Sequence, residues 1–458
     1  MSGAVICADV ALLPGGWARD VRVEIDRSGN IARVEKGASA DPAAHRAAIL
    51  LPSPANVHSH AFQRAMAGLS ETRGAGSTDS FWTWRQLMFR FLEQLTPDDV
   101  EAITAFVQME MLEAGYAASV EFHYLHHQQD GAPYADLAEM SARVCAAAAQ
   151  SGIGLTLLPV LYQYGGIDRR ALGPGQVRFG NDPDRFERLL QGARAAVTQL
   201  PDDARTGVAP HSLRAVSAEG LAVAVSLSPD APIHMHVAEQ IAEVEEVRRA
   251  TGARPVDWLL DHHPVDDRWC LIHCTQMTDV ETRRLAASGA VAGLCPITES
   301  SLGDGIFSAD VYAQEGGRFG IGSDSNIRIS LSEELRTLEY SQRLATNRRS
   351  VLARVGRSTG RLLYETAVSG GAQAAGRPSG AIAKGLLADL LGLDGAALPL
   401  VNRREDQILD SWIFAADDRL VRDVWSAGRH MVRDGRHVAR DGIEAAYRKV
   451  AMRLSGDI

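Results

Sequence analysis

The sequence predicts an α/β fold in which a TIM-like (β/α)8 barrel is joined to a small β domain built from both ends of the chain. Eight short apolar runs between residues 49 and 326 are each followed by a loop and a stretch with helical periodicity. Near-continuous apolar strands that alternate with helices are typical of parallel sheets buried on both faces. A chain of 458 residues also has room for a barrel and a second, smaller domain.

The barrel is predicted to occupy residues 49–377, between terminal segments 1–48 and 378–458 that form the small domain. The eight predicted strands are 49–57, 117–124, 155–162, 207–213, 232–238, 269–274, 290–296 and 318–322. Helices are predicted at 97–115, between the first two strands and with Thr96 as the N-cap, and at 333–344, after the last strand.

The terminal segments have a different pattern. Short runs of alternating apolar and polar residues occur at 21–25 and return at 388–393 and 421–431, so strands from the two ends are expected to pair. Residues 443–454 are expected to form a closing helix, and the run 370–380, rich in glycine, alanine and proline, is expected to mark a boundary.

Composition excludes several classes of partner. The formal net charge of -10 offers no basic face for nucleic acid, and no apolar run reaches the ~20 residues of a membrane span. The N-terminus lacks the basic start and apolar core of a secretory signal, and five scattered cysteines do not suggest a disulfide framework. We therefore expect a cytoplasmic protein that binds neither nucleic acid nor membranes.

Four residues at predicted strand ends have the side chains of a metal site. His58 and His60 are one residue apart on an extended segment, so both side chains point the same way. His236 and Asp324 end later strands and would meet them at the carboxyl-end face of a barrel. A His-x-His pair alone is common on protein surfaces, but this order of strand-end residues predicts a metallohydrolase site with one position left open for water.

The site is expected to hold one metal ion per chain. The chain has three lysines, Lys36, Lys384 and Lys449, and all lie outside the predicted barrel, so no barrel lysine can be carboxylated to bridge two metals. A bridge formed by another carboxylate or a cysteine remains an alternative. Nitrogen and oxygen ligands in a hydrolase suggest Zn2+, with Fe2+ or Mn2+ as alternatives.

Two further strand-end residues are candidates for proton transfer. Glu239 follows His236 by three residues, although a carboxylate there could instead be the first-turn acid of the next helix. His273 ends the sixth strand, where it could also be an ordinary buried histidine. His234 alternates with His236 but is predicted to support the barrel rather than bind metal.

These motifs resemble the amidohydrolase superfamily over essentially the whole chain. In more detail, four segments resemble the formimidoylglutamate deiminase family: HSHAFQR at 58–64, APHSLR at 209–214, IHMHVAEQ at 233–240 and GSDSN at 322–326. The resemblance implies hydrolysis of N-formimino-L-glutamate to N-formyl-L-glutamate and ammonia, a step of histidine degradation. It also implies a set of substrate-binding residues, namely Gln63, Arg85, Tyr124, His211 and Arg214.

The implied mechanism uses metal-activated water to attack the formimino carbon. Asp324, or His273 beside it, would accept the proton of that water, and Glu239 would carry a proton to the departing ammonia. Arg85 and Arg214 would bind the carboxylates of an anionic amino-acid derivative, although either could be a solvated surface residue. We also expect a homodimer.

Two other functions are compatible with the motifs. A related deaminase acting on guanine, another aromatic amine or a chlorinated triazine would keep the same metal ligands, but its pocket would need stacking groups in place of arginine. A scaffold that has lost its chemistry is the more remote alternative, since all of the expected ligands and acid–base residues are present.

Overall fold

The computed structural model describes residues 3–39, 41–71 and 80–454, and the strands of this part of the chain form two sheets. The strands are β1 (Ala4–Leu13), β2 (Gly16–Ile25), β3 (Ile31–Glu35), β4 (His45–Pro52), β5 (Ala55–Ser59), β6 (Ala118–His123), β7 (Gly154–Leu161), β8 (Arg205–Thr206), β9 (Ala209–Pro210), β10 (Ile233–Val237), β11 (Trp269–His273), β12 (Val291–Leu294), β13 (Arg318–Ile321), β14 (Leu390–Leu393), β15 (Val421–Ser426), β16 (Arg429–Arg433) and β17 (Arg436–His437).

Helices alternate with the strands through the middle of the chain. They are α1 (Phe81–Leu92), α2 (Pro97–Ala114), α3 (Glu139–Ser151), α4 (Pro183–Val197), α5 (Ala218–Ser226), α6 (Ile241–Thr251), α7 (Pro255–His262), α8 (Asp279–Ser288), α9 (Pro296–Leu302), α10 (Ala309–Gln314), α11 (Leu331–Thr346), α12 (Thr359–Ala374), α13 (Asp406–Ala415) and α14 (Arg440–Leu454). Short 3-10 helices lie at Ala61–Met66, Pro174–Phe179, Leu398–Leu400 and Asp418–Leu420. None of the described helices is long and apolar enough to cross a membrane.

The strands from the middle of the chain form the second of the two sheets, which is a closed parallel barrel. Its strands follow one another from β5 to β13, and β13 returns to pair with β5 through Ile321 and Asn56. The fourth strand is split into β8 and β9, which both pair with β7, and a bridge from Val208 to Ile233 closes the ring toward β10. The predicted (β/α)8 barrel is therefore confirmed, and its strand ends gather on one face.

The first sheet is formed by strands from both ends of the chain, as predicted. Its strand order is β17-β16-β15-β14-β4-β1-β2-β3, so β4 joins the two halves by pairing with β1 on one side and β14 on the other. Trp425 of β15 packs into the same apolar core as Ile6 of β1. The two terminal segments therefore share one hydrophobic core as well as one sheet.

The first predicted strand, residues 49–57, is two strands rather than one. Residues 49–52 end β4 and pair with β14 in the terminal sheet, whereas Ala55–Ser59 forms the first barrel strand. The apolar run is continuous because both segments are buried, but Pro54 cannot donate a ladder hydrogen bond and the chain changes sheet beside it. The domain limits predicted at residues 48 and 377 stay predictions.

The three predicted helices are present with nearly the expected bounds. Thr96 caps α2, because its hydroxyl accepts from the Asp99 amide while the Asp99 carboxylate accepts from the Thr96 amide. The closing helix α14 packs on α2, where Phe106 and Tyr447 stack with ring centroids 3.9 Å apart. The C-terminal segment is thus fastened to the outside of the barrel.

The first residues of the glycine-rich run at 370–380 lie inside α12, which ends at Ala374, and the boundary expected in this run stays a prediction. A Cβ atom at Gly370 would lie 2.1 Å from the Phe319 carbonyl oxygen of β13, so the glycine is needed for this helix to approach the barrel closely. Beyond the helix, the buried Arg377 lies between Asp203 and Asp389, at 3.1 Å from each carboxylate. This ion network joins the base of the barrel to the terminal sheet.

Candidate metal and catalytic centre

The four predicted metal ligands meet at the carboxyl-end face of the barrel. His58 lies on β5 and His60 directly follows that strand, His236 lies on β10 and Asp324 in the turn after β13, and all four are buried. Their ligand atoms lie within 4.8 Å of one another. The Asp324 Oδ1 atom is 3.3 Å from Nε2 of both His58 and His60.

The hydrogen bonds behind two of these rings fix which nitrogen faces the cluster. Nδ1 of His60 donates to the Phe122 carbonyl at 3.0 Å, and Nδ1 of His236 donates to the His211 carbonyl at 3.2 Å. Each neutral ring therefore presents the lone pair of Nε2 to the cluster. Nε2 of His236 lies 3.1 Å from Nε2 of His58, an arrangement of electron-pair donors that a cation would stabilise. The donor set fits one divalent metal ion with nitrogen and oxygen preference.

Two of the site residues have a strained backbone conformation, which sets the direction of their side chains. His273 has φ of 71° and Asp324 has φ of 43°, a left-handed conformation that is costly for residues with a side chain. Hydrogen bonds hold the second turn: the Asp324 amide donates to the His58 carbonyl at 2.9 Å, and the Ser323 hydroxyl donates to Asn326 at 2.6 Å. The turn geometry places Asp324 between the histidines and His273.

The three predicted catalytic residues form a chain of close contacts. Nε2 of His273 is 3.8 Å from Oε1 of Glu239 and 3.9 Å from Oδ2 of Asp324. Asp324 thus directs one oxygen toward the histidine cluster and the other toward His273. Nδ1 of His273 lies 3.3 Å from Oε1 of Glu299, a carboxylate that the sequence analysis did not identify.

Burial and the nearby carboxylates shift the pKa values of the residues in this series of contacts. Burial raises the pKa of Glu239 to about 7, so that it can hold or release a proton near neutrality. Burial alone would lower the pKa of His273, but Glu239, Glu299 and Asp324 outweigh it and raise that pKa well above the ordinary value. Burial lowers the pKa of His58, His60 and His236.

Glu239 lies outside the helix that follows it. The first-turn acid of α6 is Glu243, whose carboxylate accepts hydrogen bonds from the Ala238 and Glu239 amides at 3.2 and 3.0 Å. The Glu239 side chain instead lines the cleft near His273. His234 turns away, since its Nε2 lies 2.8 Å from the Ala374 carbonyl oxygen.

A cleft that opens to solvent lies directly above the cluster. All five predicted substrate-binding residues line it, together with apolar side chains from α1. The Gln63 amide donates to the Tyr124 hydroxyl at 2.8 Å, and Nδ1 of His211 lies 3.0 Å from the Ser212 hydroxyl. The structure therefore brings this set of polar groups to the mouth of the metal site.

The two arginines of the cleft have no acidic partner among the described residues. Arg214 is 8% exposed, and its Nε is buried without a hydrogen bond. Arg85 donates to the Tyr162 hydroxyl at 2.9 Å. Both guanidinium groups lie over the Trp82 ring, at 5.8 Å for Arg85 and 5.7 Å for Arg214. Burial alone would lower the pKa of Arg214, but the nearby Glu243 and Glu239 outweigh it and raise that pKa, so this cation is stabilised without a direct ion pair.

Trp82, Glu243 and Glu299 belong to the site but were missed in the sequence. Trp82 stands three residues before Arg85, so a helix in this segment would have placed the two side chains on one face. Glu243 could have been recognised as the first-turn acid of α6. Nothing local predicts Glu299, because its contact with His273 depends on how α9 follows β12.

Comparisons with known proteins agree with the geometry. Residues 49–431 match the amidohydrolase family, and residues 3–48 match the N-terminal domain of formimidoylglutamate deiminase HutF. The chain is 48% identical to a formimidoylglutamate deiminase of Pseudomonas aeruginosa, covering 94% of this chain and 95% of that protein. It is 26% identical to a 5-methylthioadenosine/S-adenosylhomocysteine deaminase of Natronomonas pharaonis, covering 76% and 73%.

Solved structures show the same fold. A crystal structure of an amidohydrolase from Brucella melitensis superposes with a TM-score of 0.94 at 50% identity, covering 98% of this chain and 99% of that one. The zinc complex of atrazine chlorohydrolase TrzN from Arthrobacter aurescens superposes with a TM-score of 0.83 at 20% identity, covering 98% and 100%, and shows the fold alone. The family match over most of the chain, together with the assembled strand-end cluster, shows that this protein belongs to the amidohydrolase family.

Proposed function

We propose that this protein is a formimidoylglutamate deiminase, which converts N-formimino-L-glutamate and water to N-formyl-L-glutamate and ammonia. The observation that carries the proposal is the pair of arginines without acidic partners among the described residues, held in one cleft over the cluster of three histidines and an aspartate. The identity to the Pseudomonas aeruginosa deiminase supports the same substrate.

We infer that His58, His60, His236 and Asp324 hold one Zn2+ ion per chain, with Fe2+ or Mn2+ as alternatives. A divalent ion in such a site polarises a water molecule and so makes a nucleophile available at neutral pH. No lysine lies between residues 49 and 326, which supports a single ion. The ring tautomers of His60 and His236, fixed from behind by backbone carbonyls, keep the donor atoms directed at the ion.

Proton transfer from the attacking water is assigned to Asp324. Its Oδ2 atom faces His273, whereas Oδ1 faces the histidine cluster, so one carboxylate can contact both the ion and the proton path. His273 stands among three carboxylates, which favours its protonated form and therefore a role as hydrogen-bond donor. Attack at the formimino carbon forms a C–O bond and gives a tetrahedral intermediate.

Collapse of the intermediate requires a proton on the departing nitrogen. Glu239 lines the cleft beside His273, and burial raises the pKa of Glu239 to about 7. A carboxyl with this pKa can hydrogen-bond the amidine nitrogens and then donate a proton, so that the C–N bond breaks and ammonia leaves. Glu299 keeps His273 oriented through Nδ1 and is a positioning residue.

Substrate orientation is assigned to the polar groups at the cleft mouth. Arg214 and Arg85 supply one cation for each carboxylate of a glutamate derivative, and guanidinium groups can bind carboxylates through paired hydrogen bonds. Gln63, Tyr124 and His211 line the same cleft, where they can hydrogen-bond the formimino nitrogens or a carboxylate. The lowered pKa of His211, caused first by burial, favours its neutral form.

The alternatives are less well supported. A guanine or other aromatic amine would leave two guanidinium groups without an anion, which is unfavourable in a partly buried cleft. In a protein without activity, the strained backbone at His273 and Asp324 would cost stability without serving a reaction. Homodimer formation and a cytoplasmic location stay predictions.

An ammonia-release assay tests the proposal. Purified protein is given N-formimino-L-glutamate, N-formimino-L-aspartate, guanine, adenine and cytosine, and kcat/KM is compared. We expect kcat/KM for N-formimino-L-glutamate to exceed that for each nucleobase by at least roughly 10-fold, the lower end of the range set by loss of one desolvated charge pair. Faster turnover of a nucleobase would contradict the assignment. Arg143→Ala, on the outside of the barrel, is the control for general effects of removing an arginine.

A further inference from the structure

A second cluster of metal-type side chains lies in the terminal β domain, away from the barrel site. It consists of His45 of β4, Asp423 of β15 and His430 of β16. Oδ1 of Asp423 is 3.3 Å from Nε2 of His45 and 2.7 Å from Nε2 of His430. The three ligand atoms lie within 4.8 Å of one another.

The surroundings hold the imidazole rings in place while leaving an entrance. His430 is stacked on Trp425 with ring centroids 4.4 Å apart, and His45 meets the same indole edge-on at 5.2 Å. The side chains of His430 and Asp423 are 16% and 13% exposed, whereas that of His45 is 37% exposed. A small ion can therefore reach the cluster from the His45 side.

One donor atom of the cluster has no hydrogen bond. Nε2 of His45 is buried without a hydrogen-bond partner, although it lies 3.3 Å from Asp423. A tetrahedral ion with bonds of about 2.0–2.1 Å keeps its ligand atoms roughly 3.4 Å apart, close to the His45 to Asp423 distance. The His430 to Asp423 contact, at 2.7 Å, would have to open by about 0.7 Å, which a rotation of the Asp423 side chain can provide.

We propose that His45, Asp423 and His430 form a second binding site for a divalent transition-metal ion such as Zn2+ or Cu2+. Two imidazoles and one carboxylate are the ligand types that these ions prefer, and water would complete the coordination. The site differs from the barrel cluster in its sheet, its ligands and its partial exposure, and the proposal does not depend on the reaction catalysed in the barrel.

The bound ion has a structural consequence. His45 begins the strand that ends the N-terminal segment, whereas Asp423 and His430 lie on the hairpin of the C-terminal segment. An ion held by all three would link the two ends of the chain across the terminal sheet. Because the ligands come together only in the folded domain, binding would stabilise that domain.

The test uses tag-free protein that has been saturated with Zn2+ and dialysed, so that the barrel site is filled. Cu2+ is then added while tryptophan emission is followed, since an ion bound at His430 would quench the stacked Trp425. Trp425→Phe identifies the share of quenching that belongs to this indole. In a separate measurement, total zinc per chain is determined on a sample taken before dialysis, while the free Zn2+ concentration is high enough to fill weak sites.

We expect one zinc equivalent beyond the barrel ion, and at least tenfold weaker Cu2+ quenching affinity in both His45→Ala and His430→Ala. Turnover should be unchanged in both variants, which also shows that they are folded. His262→Ala is the matched control, because His262 stacks on Trp258 at 4.4 Å but belongs to no metal-type cluster among the described residues. Unchanged Cu2+ affinity in His45→Ala, or no zinc beyond the barrel ion, would overturn the proposal and leave an ordinary hydrogen-bonded cluster.

Discussion

Replacement of Arg214 by methionine should lower activity while leaving stability nearly unchanged. Arg214 is 8% exposed, has no acidic partner among the described residues and retains a buried Nε without a hydrogen bond. In the free enzyme its charge is stabilised only at a distance, by Glu243 and Glu239, whereas in the complex a substrate carboxylate would form a direct ion pair with it. Methionine keeps the apolar contact with Trp82 and removes the charge.

The expected loss of activity in Arg214→Met follows from the low exposure of the Arg214 side chain. A desolvated charge-assisted hydrogen bond is worth about 1.5–3 kcal/mol, so kcat/KM for N-formimino-L-glutamate should fall roughly 10- to 150-fold. Relief of the unsatisfied Nε donor should favour the variant by about 1 kcal/mol of unfolding free energy, but loss of the attraction to Glu243 and Glu239 opposes it, so the Tm should change by no more than roughly 2 °C.

Substrate analogues separate the two possible roles of Arg214. N-formimino derivatives of γ-aminobutyrate, norvaline and butylamine lack the α-carboxylate, the side-chain carboxylate and both carboxylates, respectively. The penalty of Arg214→Met should persist with one of the first two and vanish with butylformamidine. Arg85→Met should show the opposite preference between the first two. Equal losses on all substrates, or a Tm lowered by more than roughly 2 °C, would refute the reasoning and make Arg214 a structural residue.

Three further predictions follow from the geometry. The purified protein should retain about one divalent metal ion per chain that is needed for activity. Chelation should therefore abolish turnover, and turnover should recover in proportion to the metal content when the ion is added back. Two tightly held ions, both required for activity, would contradict this prediction. Glu239→Gln should lose at least ~10²-fold in kcat while metal content and Tm stay near those of the parent protein, and near-native turnover would remove Glu239 from the mechanism. Arg377→Met should destabilise the fold by about 3–5 kcal/mol in denaturant unfolding, because it leaves the buried Asp389 carboxylate without its cation and leaves Asp203 with Arg429 alone; Arg419→Met, whose parent side chain is 88% exposed, should change stability little.

The metal ligands were the most predictable part of the site, because two of them are close together in the sequence and the others stand at the ends of predicted strands. His58 and His60 could be placed on one side of a strand from their spacing, and the carboxyl-end rule brought His236 and Asp324 to them. The substrate residues rested on resemblance, because no periodicity indicates that Arg85 and Arg214, far apart in the chain, lie over one indole.

Features set by tertiary contacts could not be predicted. The division of residues 49–57 between two sheets depends on β14, which is formed by a distant part of the chain. The left-handed backbone of His273 is imposed by the turn after β11, where the sequence shows no glycine. Likewise, Glu299 reaches His273 only because α9 packs beside the neighbouring strand.

The shared terminal sheet also affects how the protein is made. One edge of β4 pairs with β14, and more than 300 residues separate Pro52 from its partner Leu390. At about 5–20 residues per second, a ribosome needs roughly 20 to 70 s to supply that partner. During this interval the nascent N-terminal strands have an unpaired edge and lack the apolar contacts of Leu390 and Trp425. Completion of this domain must therefore wait until the C-terminal segment has emerged, which makes the unfinished chain a natural client for chaperones.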